Sequence, residues 1–248
     1  MHLNENERCD EVNDKLRLIQ KNDGLTFGTD ALLLAGYVSG KYRHGCELGS
    51  GTGIISMLLV SREKLEDTVC LEVQAEYAAL TERNAELNGL SDKITARRQD
   101  IRDNTDGEVY DIVYTNPPYM RTDSGVANKT DAKNVARHEV FGTIADFCGS
   151  AAKMLKFGGS FYVVYRPDRI IDLIHALRAS RLEPKRLTFV HARRDSESSM
   201  VLIEAKRGGA PGAILTRPLI IYAEDGKTYS EDMQYIMDNG KFPEGYKR

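Results

Sequence analysis

Glu47-Leu48-Gly49-Ser50-Gly51-Thr52-Gly53 carries the chain from a short strand-like run, 45–48, into the apolar run 54–60. A strand that feeds a helix through a glycine loop opens a βαβ unit, and glycines there let the backbone approach a ligand that a Cβ would push away. Outward from this loop, short β-type runs alternate with longer helical ones, which predicts a doubly wound, mostly parallel α/β sheet. Further strands are predicted at 68–72, 94–99, 111–115 and 160–165. Helices are predicted at 75–88, closed by Gly89, and at 144–157, stopped by Gly158-Gly159. The runs 187–192 and 200–206 are separated by a charged turn with no room for a helix, so they read as an antiparallel pair that ends the sheet. Ahead of residue 44, the segments 16–20 and 25–27 flank Asn22-Asp23-Gly24, a hairpin-type turn. Thr29 or Asp30 then caps a helix running to Val38.

At 248 residues the chain is long enough for one large α/β domain with a full hydrophobic core. Its 41% hydrophobic and 29% charged residues are those of an ordinary globular protein, and no apolar run approaches the ~18 residues of a membrane span. The polar, acidic start, Met1 to Glu7, lacks the basic residues and apolar stretch of a secretory signal, so a cytoplasmic protein without membrane contact is expected. Cys9, Cys46, Cys70 and Cys148 form no Cys-x-x-Cys pair, which leaves no zinc knuckle or disulfide framework, and no metal is expected. A net charge of −3 argues against nonspecific coating of nucleic acid, which needs many neutralised phosphates; a local basic patch stays open. Gly208-Gly209-Ala210-Pro211-Gly212 is the one candidate boundary; it sets an extension 208–248, of no legible role, apart from a core 44–207, and the segment 1–43 precedes the first core strand.

The glycine loop departs from a dinucleotide fingerprint, which wants its third glycine where Ile54 stands; here it is Gly53. That spacing disfavours a pyrophosphate cradle and favours a ligand without phosphate, whose amino-acid portion can meet Glu47. Glu72 ends the second predicted strand about 20 residues on, where a carboxylate can accept both hydroxyls of a ribose. Asp100-Ile101, just beyond the third strand, can take an adenine exocyclic amine and offer a backbone N–H to the ring. All of these sit at carboxyl ends of adjacent strands, where open α/β sheets bind ligands.

Asn116-Pro117-Pro118-Tyr119 follows the strand 111–115 directly. Asn-Pro and Pro-Pro are common loop punctuation, but here they place two acceptors and an aromatic face at a strand end. The Asn116 side-chain oxygen and the Pro117 carbonyl can accept both N–H groups of a planar amine, concentrating electron density on nitrogen as it attacks an electrophilic methyl. Proline has a fixed φ and no N–H, so the pair holds that carbonyl rigidly while Tyr119 stacks on an extruded base. Beyond the motif, Arg121, Lys129, Lys133 and Arg137 lie in an irregular polar stretch, and His138 reads as a hydrogen-bonding scaffold rather than a base. Arg178, Arg181, Lys185, Arg186, Arg193 and Arg194, with only Glu183 opposing them between 178 and 194, could form a phosphate-binding face.

These residues resemble the class I S-adenosylmethionine-dependent methyltransferases, and among them the amino-group N-methyltransferases that carry Asn-Pro-Pro-Tyr. Phe27-Gly28-Thr29-Asp30-Ala31-Leu32-Leu33, the tetrapeptide, Ala136-Arg137-His138-Glu139 and the short chain look like the bacterial tRNA1(Val) adenine N6-methyltransferases. The resemblance implies a Rossmann-like seven-stranded sheet, mostly parallel with a final antiparallel strand, S-adenosyl-L-methionine as cofactor and tRNA as substrate. It implies that Gly28, Thr29 and Asp30 in segment 1–43 close over the cofactor, that Glu47, Gly49, Gly51 and Gly53 hold its methionine end, and that Glu72 holds the ribose. Asp100 and Ile101 would hold the adenine, with Asn116, Pro117 and Tyr119 catalytic, and Arg121, Lys129, Lys133, Arg137, Arg193 and Arg194 on the nucleic acid. A release-factor glutamine N5-methyltransferase would use the same acceptors but usually brings a helical domain ahead of the core. A DNA adenine methyltransferase usually carries a large recognition insert. A nicotinamide oxidoreductase or a catalytically silent adenosine- or RNA-binding protein are the remaining alternatives, the last opposed by the intact Asn116 and Tyr119.

Overall fold

The structure is a computed structural model and describes residues 3–24, 27–118 and 142–246. The chain begins with a hairpin of β1 (Glu7–Asn13) and β2 (Leu16–Lys21) and helix α1 (Thr29–Tyr37). Then come β3 (Tyr42–Leu48), α2 (Ile54–Ser61), β4 (Leu65–Glu72), α3 (Ala75–Leu87) and β5 (Ile94–Arg98). They are followed by β6 (Tyr110–Thr115), α4 (Ile144–Met154), β7 (Leu155–Tyr165), α5 (Ile170–Ala179), β8 (Leu182–His191) and β9 (Ser198–Arg207). The last segment adds β10 (Ile214–Leu215), β11 (Leu219–Ile220) and α6 (Glu231–Asn239).

A nine-stranded sheet has the order β10-β8-β9-β7-β6-β3-β4-β5, with β11 also paired to β8. Strands β3 to β7 pair in parallel, and β9 runs antiparallel to both β7 and β8. The seven expected strands and the expected antiparallel element are therefore present, and β10 and β11 extend the β8 edge in parallel. From β3 the chain works outward to β5 and then returns to β6 on the other side, so a topological switch point lies between β3 and β6.

Both faces of the sheet are covered, and successive residues alternate between them. Ile112, Tyr114, Tyr162, Val164 and Leu202 join the core under α1 and α2, together with Met233 and Ile236 of α6. Val113, Phe161, Val163, Val201 and Ile203 face the opposite core under α4 and α5. Helix α2 is buried from Ile54 through Val60, which explains why that run carries no polar stripe.

Several boundaries differ from the sequence expectation. The N-terminal hairpin pairs β1 with β2, Cys9 opposite Ile19, rather than turning at Asn22-Asp23-Gly24. Strand β1 is polar and half-exposed, so it carries little period-two signal; the Asn22-Gly24 segment instead redirects the chain toward α1, with the Phe27 N–H donating to Gln20 Oε1 at 2.8 Å. Leu25 and Thr26 lie outside the described residues. The helix expected over 144–157 ends at Met154, because Leu155 is already extended and pairs with Tyr110. Gly158-Gly159 forms an irregularity inside β7, not a helix stop; Gly158 has φ +77° there. Helix α5 was not foreseen between β7 and β8. The N-cap of α1 is Gly28, without a side-chain cap, and Asp30 is turned to other partners.

Residues 208–248 complete the core: Leu219, Ile221, Met233, Ile236, Phe242 and Tyr246 are all buried. Of the tyrosines in this extension, Tyr246 is fully buried, Tyr222 and Tyr229 stack on each other at 6.0 Å, and Tyr235 is exposed. Two cations satisfy the terminal carbonyls of α1, and one of them, Arg186, also ties the helix to the extension. Lys64 Nζ donates to the carbonyls of Ala35, Gly36 and Val38 at 2.8, 3.1 and 2.8 Å. Arg186 donates to the Tyr37 carbonyl at 2.7 Å and to that of Tyr246 at 2.9 Å, stacks its guanidinium 3.8 Å over the Tyr37 ring, and pairs with Glu204 at 3.1 Å. Burial, with Arg62, Arg186 and Lys241 nearby, pulls the Lys64 ammonium down to about 7, against three carbonyls that favour its charged form.

Candidate active site

A cavity of about 620 Å³ opens at the carboxyl ends of β3, β4, β5 and β6, across the switch point. Its floor is the glycine loop, which is spliced to β4: Gly49 and Ser50 N–H both donate to the Leu71 carbonyl, at 2.9 and 3.1 Å. Gly51 N–H donates to Glu72 Oε2 at 3.0 Å, and Gln74 N–H to Glu72 Oε1 at 2.9 Å, so the carboxylate is held square at the strand end. Gly51 has φ +55° and open space where its Cβ would stand, as a ligand cradle requires. Gly53 is glycine for another reason: at φ +77° it begins α2, and a Cβ there would lie 2.7 Å from Thr81 Cγ2.

Glu47, 1% exposed, is the next-to-last residue of β3, beneath the loop. Ser56 donates to its Oε2 through both its hydroxyl, at 2.5 Å, and its N–H, at 3.2 Å. The Ser56 hydroxyl meets the Tyr114 hydroxyl at 2.6 Å, and Tyr114 in turn meets Thr68 Oγ1 at 2.9 Å, which makes a buried chain of hydroxyls behind the acid. Burial pushes the Glu47 carboxyl up to about 8, with Glu72 adding to it and the Ser56 bonds opposing.

Asn116 stands directly after β6, whose last residue, Thr115, donates its hydroxyl to the Leu48 carbonyl at 2.7 Å and so locks the ends of β6 and β3 together. The Asn116 amide nitrogen donates to Asp30 Oδ2 at 2.7 Å. A carboxylate only accepts, so this contact fixes which end of the amide is nitrogen and turns the oxygen to the other side. Pro117 is buried and Pro118 exposed, and all three residues line the cavity.

Gly28, Asp30, Glu47, Gly49, Gly51, Glu72, Asp100, Ile101 and Asn116 all line this one cavity. Thr29 and Gly53 do not. Asp100 caps the turn Ile101–Asp103, accepting the Arg102 N–H at 2.9 Å, and the Arg102 guanidinium holds its carboxyl below the usual range. Tyr119, Arg121, Lys129, Lys133, Arg137 and His138 lie outside the described residues. Phe27, Tyr77, Gln74 and Phe147 line the cavity without having been singled out. Val73 and Gln74 were legible as the continuation of Glu72, but nothing local marks Phe147, which arrives from α4 across a long sequence separation.

The basic residues between 178 and 194 do not form one face. Arg186 is buried, and Arg178 pairs with Glu183 at 3.3 Å by the start of β8. Lys185 donates to the carbonyls of Ala210 and Gly212 at 2.8 and 2.7 Å. Arg193 and Arg194 are exposed in the turn after β8, and β8 runs in the direction of β6, so they stand at the cavity end of the sheet. The thiols of Cys46, Cys70 and Cys148 are buried, and burial raises all three.

The donor set suits a nucleoside ligand that carries an amino-acid tail. Glu72 is presented beside the empty side of Gly51, Glu47 offers a deep acceptor, and Ser50 Oγ, buried in the cavity wall, has no hydrogen-bond partner among the described residues. An orphaned buried hydroxyl next to a bare backbone is what a ligand's polar edge would satisfy.

Residues 21–176 match the family described as Methyltransferase small domain. A tRNA1(Val) (adenine(37)-N6)-methyltransferase of Phocaeicola vulgatus is 28% identical over 180 residues, 72% of this chain and 76% of that protein. Its namesake from Dyadobacter fermentans is 25% identical over 193 residues, 77% and 79% of the two chains. A crystal structure from Agrobacterium tumefaciens, described as a predicted O-methyltransferase, superposes with a TM-score of 0.71 at 22% identity, covering 86% of this chain and 98% of the other. That likeness is one of fold.

Proposed function

The chain belongs to the methyltransferase small domain family, and from that membership we propose that it transfers the methyl group of S-adenosyl-L-methionine to the exocyclic N6 amine of an adenine in tRNA. The observation that carries the reading is Asn116 at the end of β6, with its amide nitrogen held by Asp30 at 2.7 Å and Pro117 buried beside it. The relatives in Phocaeicola vulgatus and Dyadobacter fermentans, whose names specify an adenine N6 acceptor, support the choice of substrate.

When bound, the cofactor supplies an electrophilic methyl group. Glu47, Gly49 and Gly51 receive its amino-acid end beside Gly28, Glu72 takes the ribose hydroxyls, and Asp100 and Ile101 take the adenine. The N6 lone pair of the target base is delocalised into its ring, so the nitrogen rather than the methyl needs activation. Asn116 Oδ1 and the Pro117 carbonyl accept hydrogen bonds from the two N–H groups, which favours the charge that develops on nitrogen as the N–C bond forms and the S–C bond breaks with its electron pair left on sulfur; the methylated nitrogen then releases one proton to water, so no strong base is needed. Tyr119 stacks on the extruded base, and Arg121, Lys129, Lys133, Arg137, Arg193 and Arg194 meet tRNA phosphates. No described helix is long and apolar enough to cross a membrane. The test is to incubate the protein with labelled methyl donor and total tRNA, digest to nucleosides and find the label. It is expected in N6-methyladenosine; label in another nucleoside, or only in protein glutamine, contradicts the reading.

A further inference from the structure

We propose that Asp30 is a positioning residue for methyl transfer: its carboxylate selects the rotamer of the Asn116 amide that presents oxygen, not N–H, to the substrate amine. This inference rests on the functional reading above and deepens it at the same site.

A side-chain amide has two orientations of nearly equal shape, related by a half turn about its last torsion. For Asn116 they are chemically opposite. One offers an acceptor to the N–H protons of the amine, and the other sets donor against donor. Something must choose, and a hydrogen-bonding neighbour that can only accept chooses without ambiguity. Asp30 Oδ2 lies 2.7 Å from Asn116 Nδ2, a charge-assisted bond. The other Asp30 oxygen, Oδ1, accepts the Ala31 N–H at 2.9 Å, so the carboxylate is held by its own helix.

The helix is held in turn. At its far end Lys64 Nζ bonds three of its terminal carbonyls and Arg186 bonds a fourth. Gly36, midway along that end, packs so close to α6 that a Cβ would lie 3.3 Å from Ile236 Cγ2. Asp30 therefore reaches the carboxyl end of β6 from an element whose position is set by β8 and the C-terminal extension, 86 residues away in sequence from the amide it orients. Resemblance suggested a cofactor contact for Asp30; its described bonds point to the acceptor instead.

The test compares wild type with Asp30→Ala, Asp30→Asn, Asn116→Ala, Asn116→Asp and the two double variants Asp30→Ala/Asn116→Ala and Asp30→Asn/Asn116→Asp. Two quantities are read: kcat at saturating substrates and the Kd for S-adenosylhomocysteine. Asp30→Ala should lower kcat by ~10–100-fold, as loss of an orienting partner typically does, with S-adenosylhomocysteine affinity unchanged. It should have no further effect in the Asn116→Ala background, since there is no amide left to orient. Asn116→Asp sets two carboxylates together and should be more impaired than the Asp30→Asn/Asn116→Asp exchange, which restores one amide against one carboxylate. A loss of S-adenosylhomocysteine affinity that matches the loss of rate would overturn the proposal in favour of a cofactor contact. Multiplying losses in the double alanine variant, or an exchanged pair no better than Asn116→Asp, would overturn it as well. The comparison is read on whichever amine the wild type methylates, so an acceptor other than adenine sinks only the substrate assignment. A wild type that methylates nothing sinks both.

Discussion

The backbone N–H of Gly51 donates to Glu72 Oε2 at 3.0 Å, so the loop proposed to cradle the ligand and the carboxylate proposed for its ribose are one unit. Removing that carboxylate takes away the ligand's partner and the loop's brace together. Glu72→Ala should weaken S-adenosylhomocysteine by about 2–3 kcal/mol, roughly a hundredfold in Kd, and Glu72→Gln by less because one acceptor remains. Calorimetric titration checks this, and equal affinities for wild type and Glu72→Ala would remove Glu72 from the site.

On the proposed mechanism, Asn116→Ala deletes an acceptor used as charge develops on the attacking nitrogen. A fall in kcat of about 10²–10³-fold is expected, with S-adenosylhomocysteine affinity little changed. Single-turnover transfer to tRNA with the variant in excess measures it; normal turnover would reassign the acceptor.

Glu47 makes the apoprotein sensitive to pH in a specified direction. Its carboxyl is raised from 4.5 to about 8, so across that window the folded protein keeps a proton that the unfolded chain has released. Stability should therefore fall as pH rises between those values, and Glu47→Gln should flatten the dependence. Thermal unfolding of both proteins across the window tests this, and parallel curves would show that Glu47 is ionised when folded.

Arg186 is 1% exposed and pairs with Glu204, itself 5% exposed. Arg186→Met takes the guanidinium away from that buried carboxylate and unties Tyr246 from Tyr37, for a loss of about 3–5 kcal/mol in denaturant unfolding. Adding Glu204→Gln should recover part of it. Full stability in the single variant would mean that the C-terminal extension does not need this anchor.

Charge reversal at Arg193 and Arg194 should weaken tRNA binding and lower the dependence of log K on log salt by about one per lost phosphate contact. Asp195, Glu197, Glu224 and Asp225 lie in the two turns alongside, so the attraction is local to these two side chains. An unaltered salt slope would exclude this turn from the RNA interface.

Much of this site was legible in the sequence because it is built from strand ends. Glu47 and Glu72 lie in the last residues of β3 and β4, and Asp100 and Asn116 within two residues of the ends of β5 and β6, so a correct reading of the strands places all four at the carboxyl end of the sheet. What escaped were relationships across long separations. The 2.7 Å bond between Asp30 and Asn116 depends on where α1 docks, and α1 docks through Lys64, Arg186 and α6, none of which bears a local mark of that role. Arg186 read as surface charge because a buried arginine looks the same in sequence as an exposed one; its partners Glu204, Tyr37 and Tyr246 come from three other elements. The end of α4 escaped because Leu155 to Phe157 suits either a last helical turn or a first strand residue, and pairing with Tyr110 decided for the strand.

The central claim is that one cavity seats the methyl donor under the glycine loop with its reactive end toward Asn116. A crystal structure of the complex with S-adenosylhomocysteine measures this directly. The account predicts ribose hydroxyls on the Glu72 carboxylate, the amino-acid end over Gly49 and Gly51, and the sulfur on the side of the cavity lined by Asn116 and Pro117. Ligand bound elsewhere, or seated there with its sulfur turned away from Asn116, would contradict it.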